Sequence, residues 1–314
     1  MSTEILGFPS DATEGSAPTV DAAGSGARGV GRPVLVGCSH GTNNADGQAA
    51  IRAILDDVRA TRPDLDVREA FVDVQQPEVA DVVTQAVAPP ATGEGPGGAA
   101  VVVPLLLSTG FHVNVDITEA VSPEHEGRGP EHGPATAARA LGPDPRLAEI
   151  LADRLTEAGV RPHDAVVLAA AGSSKAGAAR DVEAVAEFLR AHHDGPVTVG
   201  FGAMATPSVR EAVGAARAAL ATSAATGEAT TAGGEPIGET HAAPSGSDDE
   251  PARARGPRVV VAAYLLAPGF FHDRLLETGA DLVTAPLAPD ARLTAIVLDR
   301  YAEGVEALAA QGPA

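Results

Sequence analysis

Two histidines and an aspartate stand where a fold could bring them together. His40 lies in Cys38-Ser39-His40-Gly41-Thr42, directly after the apolar run Val34 to Cys38, and His112 lies in Thr109-Gly110-Phe111-His112-Val113-Asn114, directly after the run Val101 to Leu107. Asp73 ends a third run, in Phe71-Val72-Asp73. Two imidazoles and a carboxylate suit a divalent first-row metal with coordination positions left open to a second ligand. A neutral imidazole can equally accept a proton, but no single nitrogen holds a metal and a proton at once. A lone loop histidine more often caps a loop or bonds to backbone. The matched placement of His40 and His112 behind two strands favours the chemical role.

The other histidines carry less. His125, His132, His192, His193 and His241 read as solvated loop residues, and His163 as a structural residue before a strand. His272 follows a strand of the second half and is expected to overlook the same ligand space. Ser39 sits in Gly37-Cys38-Ser39-His40-Gly41, a GxSxG pattern between a strand and a helix, like the nucleophile elbow of a serine hydrolase. Several strands precede that elbow in such enzymes, whereas here only the first does. Cys38 reads as a buried strand-end thiol. Ala171-Gly172-Ser173-Ser174-Lys175 lacks the spacing of a nucleotide-binding P-loop, yet its amides and hydroxyls could hold an anionic ligand edge.

These residues need a parallel sheet to position them. Val34 to Cys38 reads as a buried strand, Ile51, Ile54, Leu55 and Val58 as one stripe of a helix closed by Pro63, and Val67 to Val74 and Val101 to Leu107 as further strands. The plan then repeats. Val166 to Ser173 parallels the first strand and turn, and Val182, Val185, Ala186 and Leu189 follow the first helical stripe by 131 positions. Phe71 and Pro77 recur as Phe201 and Pro207, an offset of 130, and Gly110-Phe111 as Gly269-Phe270, an offset of 159. The jump between these offsets falls across residues 222–256, an Ala/Thr/Gly/Ser/Glu-rich tract read as a disordered insertion. Pro143-Asp144-Pro145-Arg146-Leu147 with Asp153 and Arg154 recurs as Pro289-Asp290-Ala291-Arg292-Leu293 with Asp299 and Arg300, 146 positions on, and these Asp and Arg residues read as structural.

The expected fold class is therefore α/β: two pseudo-symmetric domains, 33–160 and 161–314, each a mainly parallel sheet flanked by helices, behind a disordered tail over 1–32. The cleft between them would be chemically one-sided, because positions 40 and 73 map to Ala171 and Ala203, and position 112 to Phe271, or to His272 if the turn gains a residue.

Composition sets the setting. With 22 Lys+Arg against 42 Asp+Glu, a net charge of −20 gives no attraction for a phosphate backbone, so no nucleic-acid partner is expected. No apolar run reaches the ~18 residues of a membrane helix, and residues 1–30 do not read as a secretory signal. The single Cys cannot form an internal disulfide, which fits the cytoplasm.

Taken in order, the His40-Gly41-Thr42 turn, the segment LLLSTGFHVNVDI with Asp116-Ile117, the AAAGSS turn and the segment YLLAPGFFHDRL resemble the two-domain sirohydrochlorin chelatases of the class II chelatase group, and the cobalt-inserting relatives that share the pattern. The resemblance spans the chain outside 1–32 and 222–256. It implies chelatase-like domains and a lyase that inserts Fe²⁺ or Co²⁺ into sirohydrochlorin, giving sirohaem or a cobalamin precursor. The metal would be a substrate, with no permanently bound cofactor. His40 and His112 would be the metal-binding and catalytic histidines; Asp73 stands where family members often carry a longer Glu. Ser173, Ser174 and His272 would contact the tetrapyrrole, and the chain would act as a monomer containing its own pseudo-dimer. A polycarboxylate substrate on so acidic a protein needs local donors, for which the Ser173-Ser174-Lys175 turn and Arg274 are candidates. Two other classes stay open: a non-catalytic metal or tetrapyrrole carrier on the same fold, and a serine hydrolase acting through Ser39.

Overall fold

The computed structural model describes residues 31–92, 96–108, 113–231 and 256–311. Residues 1–30 of the expected tail over 1–32 lie outside them, as do His112 and residues 232–255.

The first half runs β1 (Val34–Ser39), α1 (Ala45–Thr61), β2 (Val67–Phe71), α2 (Val79–Val87), β3 (Ala100–Pro104), a π-helical turn (Val113–Ile117) into α3 (Thr118–Val121), β4 (Ala135–Ala137) and α4 (Pro145–Glu157). The second half repeats it as β5 (Ala165–Ala170), α5 (Ala176–Arg190), β6 (Val197–Phe201), α6 (Val209–Thr231), β7 (Val259–Tyr264), α7 (Phe270–Leu276), β8 (Leu282–Val283) and α8 (Ala291–Ala310). The sheets are ordered β2-β1-β3-β4 and β6-β5-β7-β8, and every pairing is parallel. Both faces of each sheet are covered, which is why β1, β3, β5 and β7 read as unbroken apolar runs.

Strand residues alternate between two cores. Leu35, Val101 and Val103 of the first sheet and Val166, Leu168 and Val260 of the second join one continuous core, filled by α1, α4, α5 and α8. Val36 and Val102 face outward onto α2 and α3, and Val167 and Val261 face outward onto α6 and α7. The two sheets thus sandwich a central layer of four helices.

The last helix of each half crosses to the other half. α8 packs on α1 and β3, and α4 on α5 and β7. A Cβ at Gly304 of α8 would overlap Val101, and the Tyr301 hydroxyl donates to the Pro33 carbonyl at 2.6 Å. The repeated Asp and Arg residues make this exchange. Arg300 donates to the carbonyls of Ala140 and Leu141 at 3.0 and 2.9 Å, while Arg154 donates to those of Pro286 and Leu287 at 3.0 and 3.1 Å, the equivalent positions. Arg146 pairs with Asp299 at 2.7 Å and Arg292 with Asp153 at 2.5 Å. A boundary at 160/161 therefore separates sequence repeats, not self-contained packing units, because each sheet is closed by a helix from beyond it.

One further expectation is corrected. Residues 222–231 continue α6 as helix instead of opening a disordered insertion; four Thr, a Ser and a Gly among them have low intrinsic helix propensity, so the segment extends a helix already begun at Val209, which is less costly than nucleating one. Among the described residues, no helix is long and apolar enough to cross a membrane.

Arg300 is 1% exposed, and its only buried carboxylate partner is Asp144, at 3.1 Å. Replacing Asp144 by Ala leaves the exposed Glu303 as the remaining carboxylate of that guanidinium among the described residues, removes the cap of α4, and is expected to cost ~3–5 kcal/mol in denaturant unfolding. Arg139→Ala, which removes the exposed pair with Glu303, is expected to cost ~1 kcal/mol or less.

Candidate functional site

Both sheets point their carboxyl ends into one cleft of about 580 Å³. From the first half it is lined by His40 after β1 and by Leu105 to Ser108 after β3; from the second by the turn Ala171 to Ser174, by Ala203 and Met204 after β6, and by Tyr264, Leu266 and Phe271. Its walls are mainly apolar with a few polar groups, the usual character of a small-molecule site.

His40 is held by backbone. The Asp73 N–H donates to the His40 carbonyl at 3.1 Å, and Gly41 adopts φ +93°, where a Cβ would overlap the Asp73 carbonyl. Only glycine suits that contact. Beyond it, Thr42 N–H donates to Gln75 Oε1 at 2.9 Å, and Asn44 caps α1 by accepting from Gly47 N–H at 2.8 Å. The imidazole stands exposed at the cleft, on a turn with little freedom. The second half builds the same turn: Ala203 N–H donates to the Ala171 carbonyl at 2.9 Å, and Gly172 repeats φ +93° against the Ala203 carbonyl.

Asp73 is His40's neighbour through the backbone, but its side chain is exposed and outside the cleft lining, with Oδ1 accepting from the Val74 N–H at 2.7 Å. Ser173 and Ser174 line the cleft, and Ser173 Oγ accepts from the Lys175 N–H at 3.2 Å. His272 does not line it. Its Nε2 donates to the Thr284 carbonyl at 3.1 Å, and Phe271 takes the cleft wall instead. Cys38 pairs with Pro104 and Ala169 with Ala263, so the strands keep the offset of 159 that in the sequence carries position 112 to Phe271. His112 itself lies outside the described residues, and among those described no group of three His, Cys, Asp or Glu side chains could hold a metal ion.

Ser39 and Cys38 are unsuited to nucleophilic work. Ser39 is 5% exposed and is the last residue of β1, paired with Phe71, whereas an elbow nucleophile projects its hydroxyl into the open. Burial, reinforced by the negative charge of Asp116, pushes the Cys38 thiol up to about 12, so it stays protonated.

Two cleft residues were not singled out from sequence, Tyr264 and Met204, and Phe271 was named only as the counterpart of position 112. Tyr264 reaches across the halves, its hydroxyl donating to the Leu107 carbonyl at 3.0 Å, with Gly142 leaving the space it occupies. Burial, then the Asp181 and Asp144 charges, raise its pKa, so it remains a neutral donor. The available signal was the repeat itself, which puts a hydroxyl-bearing aromatic where the first half has Leu105; a buried phenol needs a partner.

The comparisons agree with this architecture. The sequence profile of the CbiX family matches residues 34–158 and 165–226. A structure described as SirB from Bacillus subtilis with Fe3+ superposes with a TM-score of 0.62 at 18% identity, covering 87% of this chain and 96% of its own. A second, CbiX described as the terminal enzyme for biosynthesis of siroheme in denitrifying bacteria, has a TM-score of 0.52 at 15% identity, covering 86% of this chain and 98% of its own. No curated protein matches the chain. At these identities the solved structures establish a shared two-sheet fold, and the profile, matching more than half of the chain, establishes that this protein belongs to the CbiX family.

Proposed function

We propose that the protein is a sirohydrochlorin chelatase that inserts a divalent metal, Fe²⁺ or Co²⁺, into the macrocycle in the interdomain cleft. The observation that carries the reading is the chemical asymmetry of a symmetric site. Residues His40, Asp73, Val74 and His112 correspond to Ala171, Ala203, Met204 and Phe271, and all four of the latter line the cleft. One half offers an imidazole at the cleft, with a carboxylate on the adjoining turn; the other offers an apolar wall on which a flat macrocycle can lie. Family membership and the fold shared with SirB support the same reading.

Metal insertion displaces two pyrrole N–H protons, so it needs a proton acceptor and a donor set weak enough to release its ion. His40 and His112 take these tasks, one imidazole presenting the metal substrate at one face of the ring while the other accepts a proton. Asp73, tied to the His40 turn, is the assigned second proton acceptor and auxiliary ligand. Ser173 and Ser174 would bond the macrocycle edge. The metal leaves with the product and no resident cofactor is involved. The working unit would be a single cytoplasmic chain, whose two halves already supply both walls. Iron and cobalt are both admitted, since ligand type alone does not separate them.

His40→Ala is expected to lower metal insertion by ~10²- to 10⁴-fold while leaving the unfolding midpoint unchanged, followed by the absorption change of sirohydrochlorin with each metal in turn. Full activity of the variant would overturn the assignment, and stoichiometric binding without turnover by the unaltered protein would make it a carrier. Tyr264→Phe leaves the Leu107 carbonyl without its donor and is expected to destabilise the protein by ~1–3 kcal/mol and to slow insertion, read by denaturant unfolding and the same assay.

A further inference from the structure

A smaller cavity of about 210 Å³ adjoins the cleft, sharing with it Ala170, Phe201, Leu265 and Phe271. Its far wall carries two guanidinium groups, Arg210 from the first turn of α6 and Arg274 from α7. In a chain of net charge −20, most arginines of the fold are engaged by carboxylates; among the described residues neither of these two is. Arg210 spends one N–H on the Glu277 carbonyl at 2.8 Å, and Arg274 lies over the Phe270 ring at 5.5 Å. A guanidinium has five N–H donors, so both keep donors for a ligand. Glu277 also lines the cavity, and its charge would oppose an anion there, leaving the pair of arginines in excess.

Building on the chelatase reading, we propose that this cavity is a carboxylate subsite: Arg210 and Arg274 bind an acid arm of the tetrapyrrole that passes around Phe271 while the ring occupies the cleft. Phe271 is the shared wall, so a substituent at the macrocycle edge has a short path between the two spaces. The planar guanidinium fork matches a carboxylate in two-point geometry, which a diffuse surface potential does not supply. The subsite answers how a strongly acidic protein holds a polyanionic substrate: by two locally uncompensated cations placed at one edge of the ring.

The test uses the full chain with sirohydrochlorin and with its methyl ester, in Arg210→Gln, Arg274→Gln, the double variant, the Lys variant at each position and Glu277→Gln. Each Gln variant is expected to raise KM for the free acid about tenfold with kcat within about twofold, the Lys variants to recover most of that loss, and Glu277→Gln to lower KM. The double variant should lose the preference of the unaltered protein for acid over ester. An unchanged KM and an unchanged acid-over-ester preference in the double variant, with the unaltered protein turning over normally, would overturn the subsite and leave the chelatase reading standing. If the unaltered protein binds sirohydrochlorin without metal insertion, the same comparisons made on Kd by fluorescence quenching decide the subsite alone. If it neither binds nor metallates sirohydrochlorin, both proposals fall together.

Discussion

Arg300 places a guanidinium inside the protein, 1% exposed. Taking a guanidinium out of water is costly unless every donor finds an acceptor, and here the carbonyls of Ala140 and Leu141 and the carboxylates of Asp144 and Glu303 meet it. Burial pushes the Asp144 carboxyl up, but hydrogen bonds from Arg146 and Arg300 outweigh it and hold its pKa below the ordinary value. Since Arg300 belongs to the last helix of the second half and Asp144 to the first half, satisfying this charge seats α8 on the first sheet. Arg154 does the reciprocal work with the carbonyls of Pro286, Leu287 and Pro289. The relative placement of the sheets, and so the cleft between their carboxyl ends, follows from that exchange.

Much of this architecture was legible in the sequence because the repeat supplied its own control. The stripes at Ile51 and Val182, the turns at Gly41 and Gly172, and the Asp-Arg pairs at 144/146 and 290/292 all recur at their expected places in the structure. The exchange of α4 and α8 was not legible. Periodicity tells which face of a helix is apolar, while both sheets offer similar apolar surfaces, so the choice of partner rests on a few long-range charges. The end of α6 was hidden too, because extending an existing helix is less costly than starting one and carries it into a tract whose composition reads as loop.

At the site, strand ends marked the right positions and left side-chain direction undetermined. His40, Ser173 and Ser174 line the cleft as anticipated from their turns. His272 follows the same logic by one residue too many, and α7 turns it to the Thr284 carbonyl. Asp73 is beside His40 in the backbone, yet its carboxylate answers to Val74. Tyr264 needed the tertiary structure, because its partner at Leu107 is remote in sequence and belongs to the other half.

The paired turns at Gly41 and Gly172 have a wider meaning. In each, an N–H to carbonyl bond and a glycine that permits close approach of two backbones set the shape, and in the first half Gln75 Oε1 adds a bond from the Thr42 N–H. The positions beside them hold histidine and aspartate in one half and alanine in the other, on the same backbone frame. Shape and reactivity are written in separate parts of the same residues. A duplicated scaffold built this way can give its two copies different side chains at the cleft while both keep the same frame.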